Sequence, residues 1–145
     1  MSPLDIAPIT DGEIAEVAAL WARCGLTRPW NDPAADISLA RRSGHADVLI
    51  GHLDGAVVAS AMVGHDGHRG WVYYVAVDPQ HRKQGFGRAI MDAAETWLRD
   101  RGIAKLLLLI RGDNTGVQAF YESLDFLQQD RIVLAKWLDG RAPTP

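Results

Sequence analysis

The stretch His81-Arg82-Lys83-Gln84-Gly85-Phe86-Gly87-Arg88-Ala89-Ile90 decides how the rest of the chain is read. Upstream of it, Trp71-Val72-Tyr73-Tyr74-Val75-Ala76-Val77 is a β-branched and aromatic run closed by Asp78-Pro79, a strand followed by a turn signal. Downstream, Phe86, Ile90, Ala94, Trp97 and Leu98 recur at helical spacing, with Arg88, Asp92, Glu95 and Arg99 on the other face. Gly85 and Gly87 therefore stand where a helix begins, where unpaired N–H groups and the positive end of the helix dipole point outward. Side chains at these two positions would hold a phosphate away from the amides. Arg82, Lys83 and Arg88 add positive charge beside the same loop. Taken alone, a glycine pair of this kind also fits a tight turn into a surface helix.

A second motif follows another apolar run, Leu106-Leu107-Leu108-Leu109-Ile110. Asp113-Asn114 precedes Val117, Phe120, Tyr121 and Leu124 at helical spacing, and Asn114 and Tyr121 lie about two turns apart, hence on one face. The order strand, Arg82-x-x-Gly85-x-Gly87, helix, strand, Asn114, Tyr121 resembles the GNAT superfamily of acetyl-CoA-dependent N-acetyltransferases. The first match covers residues 71 to 101, and residues 114 to 126 (NTGVQAFYESLDF) resemble the family's second signature. Val117 stands where the family usually has Ala, and Asp125 where it usually has Gly. Asp tolerates a left-handed backbone after a helix, so the turn is expected to survive. The Arg28-Pro29-Trp30-Asn31-Asp32-Pro33 and Asp66-Gly67-His68-Arg69-Gly70 segments resemble the small bacterial acetyltransferases of the YpeA type.

Composition fits one globular unit. With 145 residues, 48% apolar and 23% charged, the chain is expected to form a single N-acetyltransferase domain over residues 1–145. No apolar run approaches the roughly 20 residues needed to span a bilayer, and the amino terminus lacks a basic-then-apolar leader pattern, so no membrane partner and a cytoplasmic location are expected. A net charge of -3 argues against nucleic acid, and the local Arg82, Lys83, Arg88 cluster suits a phosphorylated small molecule instead. The single cysteine, Cys24, reads as a buried thiol on the apolar side of a helix rather than a nucleophile, and no metal is expected.

Along the chain, Leu4 to Ile9 reads as a strand, and Thr10 or Asp11 caps a helix whose Ile14, Val17, Ala18 and Trp21 share a face and which Gly25 ends. A shorter helix is predicted over Pro33 to Arg42. Val48 to Leu53 and Ala56 to Val63 are strands joined by the hairpin dipeptide Asp54-Gly55. The glycine-loop helix runs to Arg101 with Gly102 as its stop. Then come the Leu106 to Ile110 strand, the Asn114 to Leu124 helix and a final strand around Ile132 to Leu138, whose edge offers a route to a homodimer. A helical crossover makes the Tyr74 and Leu108 strands parallel. With the resemblance, the expected fold is α/β: a mixed, mostly antiparallel sheet of six or seven strands with helices on both faces and a central parallel pair splayed around the cofactor.

The resemblance implies the chemistry. An amine attacks the acetyl-CoA thioester directly, through a tetrahedral intermediate, and CoA leaves as a thiolate that benefits from protonation. Tyr121 is the implied acid, Asn114 an implied partner of the pantetheine arm, and the backbone at Val75, Ala76 and Val77 the implied carbonyl and amide contact. Arg82, Lys83, Gln84, Gly85, Phe86, Gly87 and Arg88 would bind the diphosphate. A core tyrosine remains the plain alternative for Tyr121.

No strand acid supplies a general base, because Tyr73 to Val77 has none and Leu109 stands where enzymes acetylating ribosomal-protein amino termini carry a Glu. Water, His65, Asp66 or His68 are the remaining candidates. For the amine acceptor, a small molecule or protein, Trp30, Asp32, Asp66 and His68 are candidate contacts. Trp30 offers an aromatic face and the two acids offer carboxylates for a cation. A loop pinned by Trp30, and an Asp66-Gly67 turn, explain the same residues without any acceptor. A competing reading keeps the fold as a non-catalytic CoA-binding sensor or interaction module, which would have no chemical use for Tyr121 and Asn114.

Overall fold

The computed structural model describes residues 4–144. They fall into two compact units, Met1–Leu109 and Ile110–Pro145. The first holds β1 (Asp5–Pro8), α1 (Ile14–Arg23), α2 (Pro33–Arg42), β2 (Ala46–Leu53), β3 (Ala56–His65), β4 (Gly70–Val77), α3 (Phe86–Arg99) and β5 (Leu106–Leu107). The five strands form one sheet in sequence order, antiparallel from β1 to β4 and parallel between β4 and β5.

Local chemistry explains most boundaries. Thr10 starts the first helical segment with the reciprocal Glu13 contact, its N–H donating to Oε1 at 2.9 Å. Gly25 leaves α1 with φ +69 and Gly102 follows α3 with φ +78, the left-handed exits that end a helix cheaply at glycine. Asp54 and Gly55 both have positive φ, 50 and 83, as a two-residue hairpin turn between β2 and β3 requires.

Helices cover both faces of the sheet. Val17, Leu20 and Trp21 of α1 and Ile37 of α2 pack in one cluster with Val48, Ile50, Val57 and Ala76 of the strands. The buried α3 residues Phe86, Ile90, Met91, Ala94 and Leu98 lie outside that cluster, on the opposite face. Gly70 belongs to the α3 face, since a Cβ there would stand 2.5 Å from Leu98 Cδ1, so only glycine lets the helix approach this strand.

Two strand expectations change. The Leu106 to Ile110 run pairs only through Gly70–Leu106 and Trp71–Leu107, after which the parallel neighbours separate. The Ile132 to Leu138 run forms no strand among the described residues. Ile132, Leu134 and Leu138 are 89%, 90% and 92% exposed, so no partner edge or packed face is there to make a β-prone sequence into a strand. The sheet therefore has five strands among the described residues, not six or seven, and the strand edge read as a dimer route is absent.

The second unit is built around α4 (Thr115–Glu122). Asn114 is its N-cap, its side chain accepting from the Val117 N–H at 3.3 Å. Asp125 takes φ +72 after the helix, the conformation expected of the residue standing in for glycine. No helix among the described residues is long and apolar enough to cross a membrane.

Candidate functional site

Beyond Trp71, β4 pairs with no strand on its outer edge among the described residues, and it also carries a bulge. Ser60 pairs with Ala76 and Met62 with Tyr73, so two residues of β4, Tyr74 and Val75, oppose the single Ala61. Tyr74 sits there at φ +52, a left-handed conformation that an aromatic residue adopts only when its surroundings impose it. The surroundings are a chain of buried bonds. Trp21 Nε1 donates to Ser60 Oγ at 2.8 Å, and Ser60 Oγ donates to the Tyr74 carbonyl at 2.8 Å. The Tyr74 ring stacks on Trp21 with centroids 3.8 Å apart, and its hydroxyl donates to Asp36 Oδ2 at 2.7 Å. Burial first, then the Asp36 carboxylate, pushes this phenol above its ordinary range.

The bulge changes which N–H groups face the open edge. Gly70 N–H points toward β5, reaching the Lys105 carbonyl, whereas Asp78 N–H points toward β3, reaching the Val58 carbonyl. Strand alternation back from Asp78 leaves the Val75 and Val77 N–H groups on the side where β4 pairs with no strand among the described residues. Ala76 is itself buried in the α1 and α2 face, so it contributes backbone and packing. At the end of this edge the Val77 carbonyl accepts from Arg82 Nε and from Cys24 Sγ, each at 3.3 Å. Burial pushes the Cys24 thiol up, which suits a packed hydrogen-bonded thiol rather than a nucleophile.

The chain then enters the glycine loop. Lys83 has φ +64 and Gly85 φ +82 as N-cap of α3. A Cβ built on Gly85 meets nothing within 4 Å, so the space over the helix start is open. The N–H groups of Gln84, Gly85, Phe86 and Gly87 find no acceptor among the described residues. The Phe86 side chain is 1% exposed and anchors α3 in the core, so only its N–H faces the loop's open side. Gly87 lies in the first turn of α3 with no positive φ; Arg82, Lys83, Gln84 and Arg88 are exposed around it. Unpaired amides, open space, a helix N-terminus and exposed cations together fit a diphosphate.

Within the second unit, Tyr121 is buried, with the rings of Phe120 and Phe126 at 5.0 and 5.6 Å. Burial pushes its phenol up to about 12, so it carries its proton throughout the neutral range, as a proton donor must.

The acceptor-side candidates are differently placed. Asp32 is the N-cap of α2, Oδ1 accepting from the Ala35 N–H at 3.1 Å. Asp66 accepts from the His68 and Arg69 N–H groups at 2.9 and 2.8 Å and from Trp71 Nε1 at 3.3 Å. Those donors hold its carboxyl at about 2, which makes it a feeble base. His65 Nδ1 accepts from Gly67 N–H at 3.1 Å. Trp30 is 43% exposed, and His68 is exposed beside Arg69. Sequence reasoning placed Trp21 on the apolar face of α1 without its polar partner, and passed over Ser60 and Asp36. A serine within the apolar run Ala56 to Val63 was the available signal for Trp21 and Ser60, and nothing in the spacing linked Asp36 to Tyr74.

Comparison with known proteins bears on the fold and the family. Residues 14–126 match the acetyltransferase (GNAT) family. An acetyltransferase of Yersinia enterocolitica is 41% identical over 135 residues, covering 93% of this chain and 96% of its own. One from Sodalis glossinidius is 40% identical over 131 residues, covering 90% and 92%. The structure of AAC(6')-Iy in complex with a CoA-containing bisubstrate analogue superposes with a TM-score of 0.81 at 18% identity, covering 94% of this chain and 99% of that one, a likeness of fold. The ribosomal-protein-S18-alanine N-acetyltransferase of Escherichia coli gives 0.72 at 25% identity, covering 83% and 76%. The glycine loop at the head of α3 and the Asn114 and Tyr121 helix both fall inside the matched span, and the chain belongs to the acetyltransferase (GNAT) family.

Proposed function

We propose that this protein transfers the acetyl group of acetyl-CoA to a primary amine, and that residues 1–145 act as one catalytic domain. The observation that carries the reading is the continuous run from the open edge of β4 to the unpaired amides of the Gly85 loop. When bound, acetyl-CoA supplies a thioester whose carbonyl an amine can attack. The loop amides from Gln84 to Gly87, with Arg82, Lys83 and Arg88, hold the diphosphate. The Val75 and Val77 N–H groups pair with the amide-bearing arm, and the bulge at Tyr74 turns the backbone toward the carbonyl, where developing negative charge needs a donor.

Tyr121, kept protonated by burial, gives its proton to the departing sulfur, and Asn114 bonds the arm while capping its helix. Trp30 and His68 are exposed enough to meet an acceptor; Asp32 and Asp66 would do so only with capacity left over from their turns. Family membership across both units supports the single-domain reading.

Two measurements test this. Calorimetric titration with CoA reads the donor site without turnover. Tyr121→Phe is expected to lower kcat about a hundredfold or more, while changing CoA affinity by no more than on the order of 1 kcal/mol. Turnover near wild type in that variant returns Tyr121 to a packing role.

A further inference from the structure

The half-buried carboxylates of the first unit are almost all engaged by a positive charge or a backbone donor. Glu13 meets His52 and Thr10, Asp47 accepts from the Val48 N–H, Asp78 pairs with Arg23, and Glu95 pairs with Arg99. Asp36 is the exception. Its only partner among the described residues is the neutral hydroxyl of Tyr74. A phenol orients a carboxylate but does not neutralise it, so a half-buried negative charge is left facing the strand with its bonding capacity unfilled.

The strand beside it carries aromatic surface on the same face. Gly70 belongs to the α3 side, so strand alternation puts the buried Val72 there too and sends Trp71 and Tyr73 to the other side. The bulge then repeats that direction at Tyr74, which stacks on Trp21 of α1. Trp71 and Tyr73 lie with ring centroids 6.5 Å apart and planes 16° from parallel, and Tyr73 is 48% exposed. A carboxylate on the same sheet face as a half-exposed Tyr73 and a partly buried Trp71 has the chemistry that binds an alkylammonium ion: the charge meets the acid, and the adjoining methylenes and residual charge meet the rings.

We propose that Asp36, aimed by the Tyr74 hydroxyl on the sheet face that also carries Trp71 and Tyr73, is the subsite that binds the acceptor as an aliphatic ammonium ion. The assignment rests on the acetyl-transfer reading and adds to it the acceptor's charge class and the residue that selects it. Asp36 supplies the charge and Tyr74 its orientation; the bound ammonium gives one proton to water before its nitrogen attacks the thioester carbonyl, and the second N–H proton passes to water as the amide forms while Tyr121 protonates the departing sulfur and is then reprotonated from solvent.

The test uses the full-length protein, saturating acetyl-CoA and three acceptors: putrescine, a lysine-containing tripeptide blocked at its amino terminus, and para-toluidine, which is uncharged at neutral pH. Asp36→Asn should raise KM for the two cationic acceptors roughly tenfold or more, with CoA affinity by calorimetry near wild type and the KM for para-toluidine, which brings no charge to the acid, raised far less. Tyr74→Phe keeps the ring on Trp21 and removes the hydroxyl, so it should raise the same KM values less; it carries the test if Asp36→Asn fails to fold. An unchanged KM for putrescine and for the peptide in a folded variant overturns the proposal. So does a wild-type protein that binds CoA yet acetylates only para-toluidine, or none of the three. A wild-type protein that does not bind CoA removes the donor-site reading itself, and this inference with it, by a separate measurement.

Discussion

The loop from Arg82 to Gly87 and the loops Arg28–Pro33 and Asp66–Gly70 are all short, polar and punctuated by Gly or Pro, yet they differ in what their bonding groups are doing. In the first, four consecutive N–H groups at a helix start have no acceptor among the described residues, and a Cβ on Gly85 would meet nothing within 4 Å. In the other two, Asp32 caps α2, Arg28 Nη1 donates to the Gly25 and Thr27 carbonyls, and Asp66 accepts three donors. Residue type alone made all three look like binding loops. What separates them is unspent hydrogen-bonding capacity, because a folded chain leaves strong donors unpaired only where water or a ligand can take them.

The largest expected effect tests that contrast at Gly85. Gly85→Asp puts bulk and negative charge into the open space over the helix start and asks a side chain to accept φ +82. CoA binding should weaken by about a hundredfold or more, roughly 2.7 kcal/mol. Gly85→Ala separates the causes, since it adds the backbone strain of about 1–2 kcal/mol without the charge. Calorimetry alongside a thermal melt reads both. Undiminished CoA affinity in a folded Asp variant would erase the distinction between the loops.

The bulge offers the next test, on stability as well as function. Ser60→Ala removes the hydroxyl that links Trp21 Nε1 to the Tyr74 carbonyl and leaves the buried indole N–H without its partner. The cost should be about 1–3 kcal/mol in chemical denaturation. If the link also holds the bulge in shape, kcat falls while CoA affinity, set mainly at the glycine loop, changes little. A variant as stable as wild type would mean that the bulge is held by Trp21 stacking alone.

How far the sequence could be read follows the same division. Helix and hairpin ends were legible because single residues enforce them: Pro33 and Asp32 at the start of α2, Asp54-Gly55 at the hairpin, Gly85 before α3. The glycine loop was legible for that reason too, its geometry being nearly all backbone. The bulge was not, since Tyr74 gives no local sign of a left-handed φ and depends on Trp21 and Ser60, distant in sequence. Nor was the fate of Ile132 to Leu138, because β-propensity names a residue that suits a strand without supplying the neighbouring edge. Asp36 was missed since a helical Asp reads as solvated surface until the fold sets a phenol against it.

A smaller effect is expected at Asp32. Replacing it with Ala removes the α2 cap and should cost about 1 kcal/mol of stability, whereas Asn, an equally good cap, should restore most of it. The two variants compared by denaturant midpoint measure the cap. The Asn variant then isolates the charge: a several-fold rise in the acceptor's KM there would show capacity beyond the cap and move this loop toward the glycine loop's class.

The last and smallest effect is confined to pH. Asp66 is held at about 2 by the Arg69 and His68 N–H groups, below the ordinary carboxylate value of about 3.9. A group whose pKa is depressed by folding binds fewer protons in the folded state, so its contribution to stability is fully present above the unfolded value and is lost as pH falls through the folded one. The stability difference between wild type and Asp66→Asn should therefore be constant above about pH 4 and shrink between about pH 4 and pH 2. Because the carboxylate is exposed, solvent screens the charge and the difference should be modest even at its plateau. Melting temperatures of the two proteins across that window read it directly. A gap indifferent to pH would mean that the turn is held by chain geometry and that the Asp66 charge is free for another partner, placing this loop with the glycine loop after all.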